Sequence, residues 1–301
     1  MKITKLVSIL AVVFAVSLAG AAEDFEFNVS STFMSKYLWH GFDMYDDRPA
    51  VKTTLNVAHQ ESGAYAELSY VMPTGSASAY DDQFQGLANT NTGYPVGQSD
   101  EWDYTFGMEG SMMQGDAMQM DADLSYTYYN FGDVSRYETF NTMAGPINQR
   151  TLDWSGEDRD LQELSLGIEF PNMISEYIVP HYRLSYIFEA GGYGGGPNSD
   201  LDQEVPFGQG VNYFEHTIGI KTMMDIDMMP LHGCVDAIYE DGRNDAADEG
   251  FKRILTGLGT QMVVGPGMVK PAVYYQFALD DEMGNMVDDD WFAAITYSID
   301  F

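Results

Sequence analysis

Apolar and polar residues alternate along most of this chain with a period of two, and that period predicts strands rather than helices. The last segment shows it most plainly. Ala293, Ile295, Tyr297, Ile299 and Phe301 fall on one face, and Ala294, Thr296, Ser298 and Asp300 fall on the other. The same reading gives about twelve strands, near 25–40, 50–60, 64–73, 102–113, 118–129, 160–170, 177–189, 212–224, 231–240, 251–263, 268–279 and 291–301. Strands of about ten residues, apolar on one side and polar on the other, suit a wall between lipid and an aqueous lumen.

The connections add a second regularity. Short links (Glu61-Ser62-Gly63, 114–117, 171–176, 225–230 and Gly265-Pro266-Gly267) alternate with long ones at 41–49, 74–101, 130–159, 190–211, 241–250 and 280–290. Outer-membrane barrels have short periplasmic turns and long extracellular loops, whereas a soluble sandwich has no reason to alternate this way. The expected fold is therefore all-β: a transmembrane antiparallel up-and-down barrel over residues 23–301, with short periplasmic turns and long acidic extracellular loops.

The two ends fit that expectation. Lys2 and Lys5 precede an apolar run at 6–18 and then Ala19-Gly20-Ala21-Ala22. This is the pattern of a secretory signal peptide over residues 1–22, too short to span a bilayer. It predicts Sec export, removal of the peptide and placement in a bacterial outer membrane. The terminal strand, ending Tyr297, Ile299, Phe301, resembles the signal read by the barrel-assembly machinery.

Composition narrows the partners. Net charge is −32, and removal of Lys2 and Lys5 makes it −34. Nucleic acid is excluded as a partner by that charge. Acidic loops attract cations, including divalent ions that bridge lipopolysaccharide phosphates. Aromatics are 14% of residues with Tyr in the lead, which suits interfacial girdles against outer-membrane lipid. One cysteine, Cys234, allows no internal disulfide.

Turning the apolar faces outward assigns an inner set. It comprises Lys36, Lys52, Glu67, Asp103, Glu109, Asp121, Asp123, Glu163, Arg183, Glu189, Glu215, Lys221 and Asp236 as pore-lining residues, with Glu26, Glu169, Asp300, Arg253 and Lys270 on the same face. A base facing lipid near midplane costs about 2–4 kcal/mol, which alone sorts bases inward. A lumen of mixed charge also sets a transverse field across a polar path.

Other motifs carry less. The run Gly191-Gly192-Tyr193-Gly194-Gly195-Gly196-Pro197 lies in a long link, without the strand–turn–helix that a phosphate cradle needs. Asp241-Gly242-Arg243-Asn244-Asp245 places Arg243 at a ligand position, and 280–290 lacks calcium-loop spacing. No His-x-x-x-His pair or nucleophile elbow occurs, so no catalytic residue, metal or cofactor is expected. Met112, Met113, Met118, Met120, Met223, Met224, Met228 and Met229 flank two short turns. They read as adaptable apolar filler at the lipid boundary rather than a Cu(I) site.

Three stretches together resemble the TorF family of porins: Ser35-Lys36-Tyr37-Leu38-Trp39-His40-Gly41, then Pro49-Ala50, then His59-Gln60-Glu61-Ser62-Gly63-Ala64-Tyr65. The family commonly has arginine where His40 stands. The resemblance covers about 40 residues; it implies a porin-like barrel and assigns no substrate. From the residues alone, Ser35, Tyr37 and Trp39 share a strand face, and their aromatics would anchor the outer interface. Gly63 would take positive φ in a tight turn.

About twelve strands leave a narrow lumen, between the filled interior of eight and the wide channel of sixteen. The expected function is passive diffusion of small solutes with a preference for cations, narrowed by the loops at 74–101 or 130–159. The alternative is a non-conducting structural or adhesion barrel whose acidic loops bind lipopolysaccharide through divalent ions.

Overall fold

The computed structural model describes residues 24–43, 45, 48–74, 100–131, 135–142, 145–152, 161–189, 213–226, 229–241, 249–279 and 289–301. The signal segment at 1–22 and the motifs at 191–197, 242–248 and 280–288 lie outside the described residues.

The strands in chain order are β1 (Phe25–Met34), β2 (Leu38–Trp39), β3 (Phe42–Asp43), β4 (Ala50–His59), β5 (Ala64–Pro73), β6 (Glu101–Met112), β7 (Met120–Phe131), β8 (Ser135–Thr142), β9 (Gly145–Leu152), β10 (Leu161–Glu169), β11 (Ile178–Glu189), β12 (Tyr213–Ile226), β13 (Met229–Asp241), β14 (Gly250–Thr260), β15 (Met262–Val264), β16 (Gly267–Ala278) and β17 (Asp290–Asp300). One sheet runs β14-β13-β12-β11-β10-β7-β6-β5-β4-β1-β17-β16-β15, and β14 also pairs with β16. That last pairing closes the sheet into an antiparallel barrel of twelve strands. β15 is the end of the β14 wall, set off at Gln261. β2–β3 and β8–β9 are separate two-stranded sheets.

Closure leaves the barrel wall without a free edge among the described residues. β1 and β17 pair from Asn28↔Asp300 to Met34↔Ala294, so the first and last described strands seal the wall. The strand faces follow the period-two pattern. Among the described residues the outward face carries large exposed apolar side chains, among them Phe33, Phe106, Leu124, Ile218, Leu258 and Ile295. An apolar surface wrapped around a closed barrel is one that lipid covers and water does not. No described helix is long and apolar enough to cross a membrane, so any crossing falls to the strands.

All the short links lie at one end of the barrel, and the long ones lie at the other. The β4–β5 turn has Gly63 at φ +69°, with its N–H donating to the His59 carbonyl at 3.0 Å. Ser62 Oγ and His59 Nδ1 are 2.9 Å apart in the same turn. The β12–β13 link is tighter than the alternation suggests, because pairing continues to Ile226↔Met229.

Two local departures shape the long-link end of the barrel. The first strand ends at Met34 instead of running to residue 40, and the chain turns inward as the β2–β3 hairpin. In addition, the β13–β14 register shifts between Ile238 and Tyr239, so one extra residue sits on β14. This bulge puts two consecutive residues, Lys252 and Arg253, out of reach of solvent.

Candidate functional site

A buried apolar cluster lies at the long-link end of the barrel, where residues 35–45 fold inward. Ser35 still belongs to the wall: its N–H donates to the Ala293 carbonyl, and its Oγ accepts from the Ala293 N–H, both at 2.8 Å. Beyond it Tyr37, Trp39 and Tyr45 are buried, joined to Ala50, Val71, Leu161, Ile187 and Tyr213 in one apolar cluster. The expectation that Tyr37 and Trp39 anchor the outer lipid interface is therefore corrected. Enclosing three aromatic rings with wall residues removes more apolar surface from water than laying them along the rim.

Polar contacts pin the loop to walls far apart in sequence. The Tyr37 hydroxyl donates to Glu101 Oε1 at 2.9 Å. The Gln276 amide donates to the Gly41 carbonyl at 3.2 Å. Trp39 meets Tyr129 edge to face with centroids 5.5 Å apart, and the Tyr129 hydroxyl donates to Glu163 at 2.5 Å. Gly41 sits at φ +87°, and a Cβ there would lie 2.8 Å from the Arg253 guanidinium. The position demands glycine both for its backbone and for space.

His40 is the ionic centre of this contact. Its Nδ1 lies 3.1 Å from Glu215 Oε2, and its Nε2 lies 3.5 Å from Glu163 Oε2. Arg253 spans the next gap, with Nη2 at 2.7 Å from Glu215 and Nη1 at 3.1 Å from Glu240. Burial by itself would hold the His40 imidazole neutral. The facing carboxylates of Glu215 and Glu163 outweigh that effect and raise its pKa from 6.5 to about 9. The Tyr37 and Tyr45 hydroxyls move well above the ordinary range, first through burial and then through the Glu101 charge.

The short-turn end differs. Lys221 pairs with Glu169 there, and Arg183 lies 3.9 Å from Asp123. Arg183 and Lys221 remain 49% and 52% exposed, so these charges are bathed in water. At the same level of the wall as Glu169, His181 Nε2 is 2.9 Å from Asp236 in a pair whose side chains are largely covered. The Tyr65 hydroxyl donates to Asp123 at 2.7 Å.

Register places the residues chosen from the sequence. Lys52, Glu67 and Asp103 share the inner face of β4, β5 and β6, since Thr54↔Ser69↔Asp103 and Asn56↔Glu67 are in register with Lys52 two positions along. Glu109 and Asp123 are partners, and Asp121 aligns with Glu169. Glu163, Arg183, Glu215, Lys221 and Asp236 follow the same face through β10 to β13. Lys36 lies just past β1 and pairs with Asp290. Glu189 is in register with Leu161, and its side chain lies outside the described residues.

The mouth is only partly readable from sequence. Glu101 lies one residue before the strand start expected at 102, and Glu240 shares the phase of Asp236 on β13. Glu101 follows from period two once its strand is extended by one residue, and Glu240 already falls on the strand expected at 231–240. The burial of Lys252 does not follow, because a bulge breaks the period. The loops expected to narrow the lumen fall largely outside the described residues. Residues 75–99 lie outside the described residues, 132–160 contain the β8–β9 hairpin, and it is 35–45 that occupies the mouth.

In class, then, the molecule is a twelve-stranded up-and-down barrel with an infolded first long link. No family model matches the chain, and no curated protein matches its sequence. Among solved structures it is similar to the NanC porin, with 10% identity, a TM-score of 0.45, and coverage of 91% of this chain and 98% of that one. It is also similar to the translocator domain of the autotransporter NalP from Neisseria meningitidis, at 10% identity and TM-score 0.43, covering 99% and 96%. An outer membrane channel from Pseudomonas putida F1 is similar at 11% identity and TM-score 0.44, covering 92% and 96%.

Proposed function

We propose that this protein is a bacterial outer-membrane channel for passive diffusion of small solutes, cation-preferring, and constricted by the loop at 35–45. The observation that carries the reading is the pairing of an apolar outer face with an inner face of solvated charge at the short-turn end, where Arg183, Lys221 and Glu169 stand in water. An excess of acidic residues across the chain, −32 in all, favours entry of cations. The pore-lining set from Lys36 to Asp236 then acts as the selectivity surface.

The same reading takes residues 1–22 as a signal removed on export, and Tyr297, Ile299 and Phe301 as the mark read by the barrel-assembly machinery. Membership of the TorF family of porins fits the stretches around Tyr37 and Gly63. Lipopolysaccharide is the expected neighbour of the acidic long links, and no catalytic role is assigned.

One observation favours the non-conducting alternative. The mouth is filled by the buried cluster around Trp39 and Tyr45, which suits a closed resting barrel. Single-channel recording of the refolded mature protein across a salt gradient separates the two. Discrete steps with a cation-selective reversal potential are expected. A barrel that is folded by heat-modifiable gel mobility yet silent, both intact and with residues 36–44 replaced by a short Gly-Ser linker, would overturn the channel. Clear anion selectivity would overturn the preference.

A further inference from the structure

Gly107, Gly167, Gly219 and Gly257 stand on β6, β10, β12 and β14, which are alternate strands of the wall. Each is crossed on the lumen side by a long side chain from a neighbouring strand. Tyr65, in register with Gly107, passes over it to donate to Asp123 Oδ1 at 2.7 Å. Arg183 approaches the same carboxylate from the opposite side, over Gly167, at 3.9 Å; Gly167 lies in register between the two. His181 Nε2 meets Asp236 at 2.9 Å over Gly219, which is again in register with both. The Tyr274 ring and the Cys234 thiol close over Gly257 in the same way. Backbone conformation does not call for these glycines, since none of them has positive φ, and glycine weakens a strand interior. Space does call for them. A Cβ at Gly107 would lie 2.3 Å from Tyr65 Cζ, at Gly219 2.8 Å from His181 Cε1, and at Gly257 2.7 Å from the Tyr274 ring. Only at Gly167 would it make ordinary contact, 3.6 Å from Arg183.

From this geometry we infer that the glycine crossings set the bore of the lumen between the loop and the short turns, and with it the largest hydrophilic solute that passes. A long side chain on an inward face either lies along the wall or projects into the lumen. A glycine beneath it leaves the first course open, and a Cβ there forces the second. Water reaches this level, because the Arg183 and Asp123 side chains are 49% and 27% exposed, so a displaced ring would enter a solvated path. The inference rests on the channel reading and assigns it two parts: the loop at 35–45 opens or shuts the mouth, and the crossings fix the size limit beyond it.

The test uses the refolded mature barrel, intact and with residues 36–44 replaced by a Gly-Ser linker, each shown to be folded by heat-modifiable gel mobility. The size limit is read in a planar bilayer as the largest poly(ethylene glycol) that enters and lowers conductance. Gly107→Ala should turn the Tyr65 ring inward and shift the limit to a smaller polymer, and adding Tyr65→Ala should restore it. Gly257→Ala, with and without Tyr274→Ala, should behave alike. Gly167→Ala should leave the limit in place, because a Cβ fits there. Tyr65→Ala alone should leave it too, because that ring already lies along the wall. A limit unchanged in both Gly107→Ala and Gly257→Ala would overturn the inference, even if both lose stability, since the glycines would then serve packing only. A smaller limit that removal of the tyrosine leaves in place would overturn it as well, as would a wider one in Tyr65→Ala alone. If the glycine variants fail to refold, Tyr65→Ala and Tyr274→Ala decide. A barrel silent in every form defeats the channel reading, and the bore is then read on Cys234, the single thiol, which lies beside Gly257. A bulky thiosulfonate should label it in the folded wild type, several-fold more slowly in Gly107→Ala, and at the original rate once Tyr65→Ala is added. No labelling of the wild type, or equal rates throughout, would sink the inference.

Discussion

The two ends of the lumen are built from the same residue types and behave in opposite ways. At the short-turn end, Arg183, Lys221, Glu169 and Asp123 keep their water, and their pairs are loose or exposed. At the mouth, Arg253, Glu215, Glu240 and Glu163 are sealed under an aromatic loop, and each charge has a fixed partner. The difference teaches that charge on an inner strand face does not by itself make a solvated path. What covers the charge decides. Exposed ion pairs contribute about 0–1 kcal/mol, whereas removing one member of a buried pair costs about 3–5 kcal/mol because the other is left uncompensated.

The largest effect should follow from Arg253→Met. It removes the Arg253 partner of Glu240 and leaves Glu215 with His40 in a buried site, and a loss of about 3–5 kcal/mol is expected in heat or denaturant unfolding. A change under 1 kcal/mol would mean that water already reaches the mouth.

A change of pH should act almost as strongly. The His40 pKa is raised when the loop is folded in, so its contribution is complete below its free value of 6.5 and is lost as pH rises through about 9. That displacement corresponds to about 3 kcal/mol at about 1.4 kcal/mol per pH unit. Loop release should therefore grow between pH 6.5 and somewhat above 9, read as rising protease cleavage within 35–45 or rising channel conductance. His40→Ala should flatten the profile; an unchanged profile would assign the titration elsewhere.

A smaller loss, about 1–3 kcal/mol, is expected for Gly41→Ala, which combines positive φ with crowding against Arg253. The double variant with Arg253→Met should be less than additive, because the second change removes the crowding atoms. The smallest effect belongs to the open end. Lys221→Gln should shift unfolding by less than about 1 kcal/mol, while moving the reversal potential further towards cations. Stability loss as large as that of Arg253→Met would erase the contrast between the two ends.

Much of the wall is legible in the sequence, for a physical reason. A strand exposed to lipid on one face and polar on the other must alternate, so β4, β5 and β11 start and stop within a residue or two of where alternation places them. The turn at Gly63 is legible because positive φ there calls for glycine. The mouth is harder. Tyr37 and Trp39 alternate like a strand and so point to the rim, since local periodicity carries no information about a chain that leaves the wall and folds back. His40 stands out only as a departure from arginine in similar stretches, and its partners Glu163 and Glu215 lie more than 120 residues away.

The sequence by itself determined a twelve-stranded alternating wall, which face is apolar, which links are short, and the acidic balance, because each depends on neighbours a few residues apart. Tertiary structure alone decided that residues 35–45 enter the barrel, that Lys252 and Arg253 are buried together at a bulge, and that Tyr37 caps Glu101. Those outcomes depend on closing the sheet between β1 and β17 and between β14 and β16. Only closure creates an inside for the loop to fill, and only that inside makes a carboxylate or an imidazole choose a partner over water.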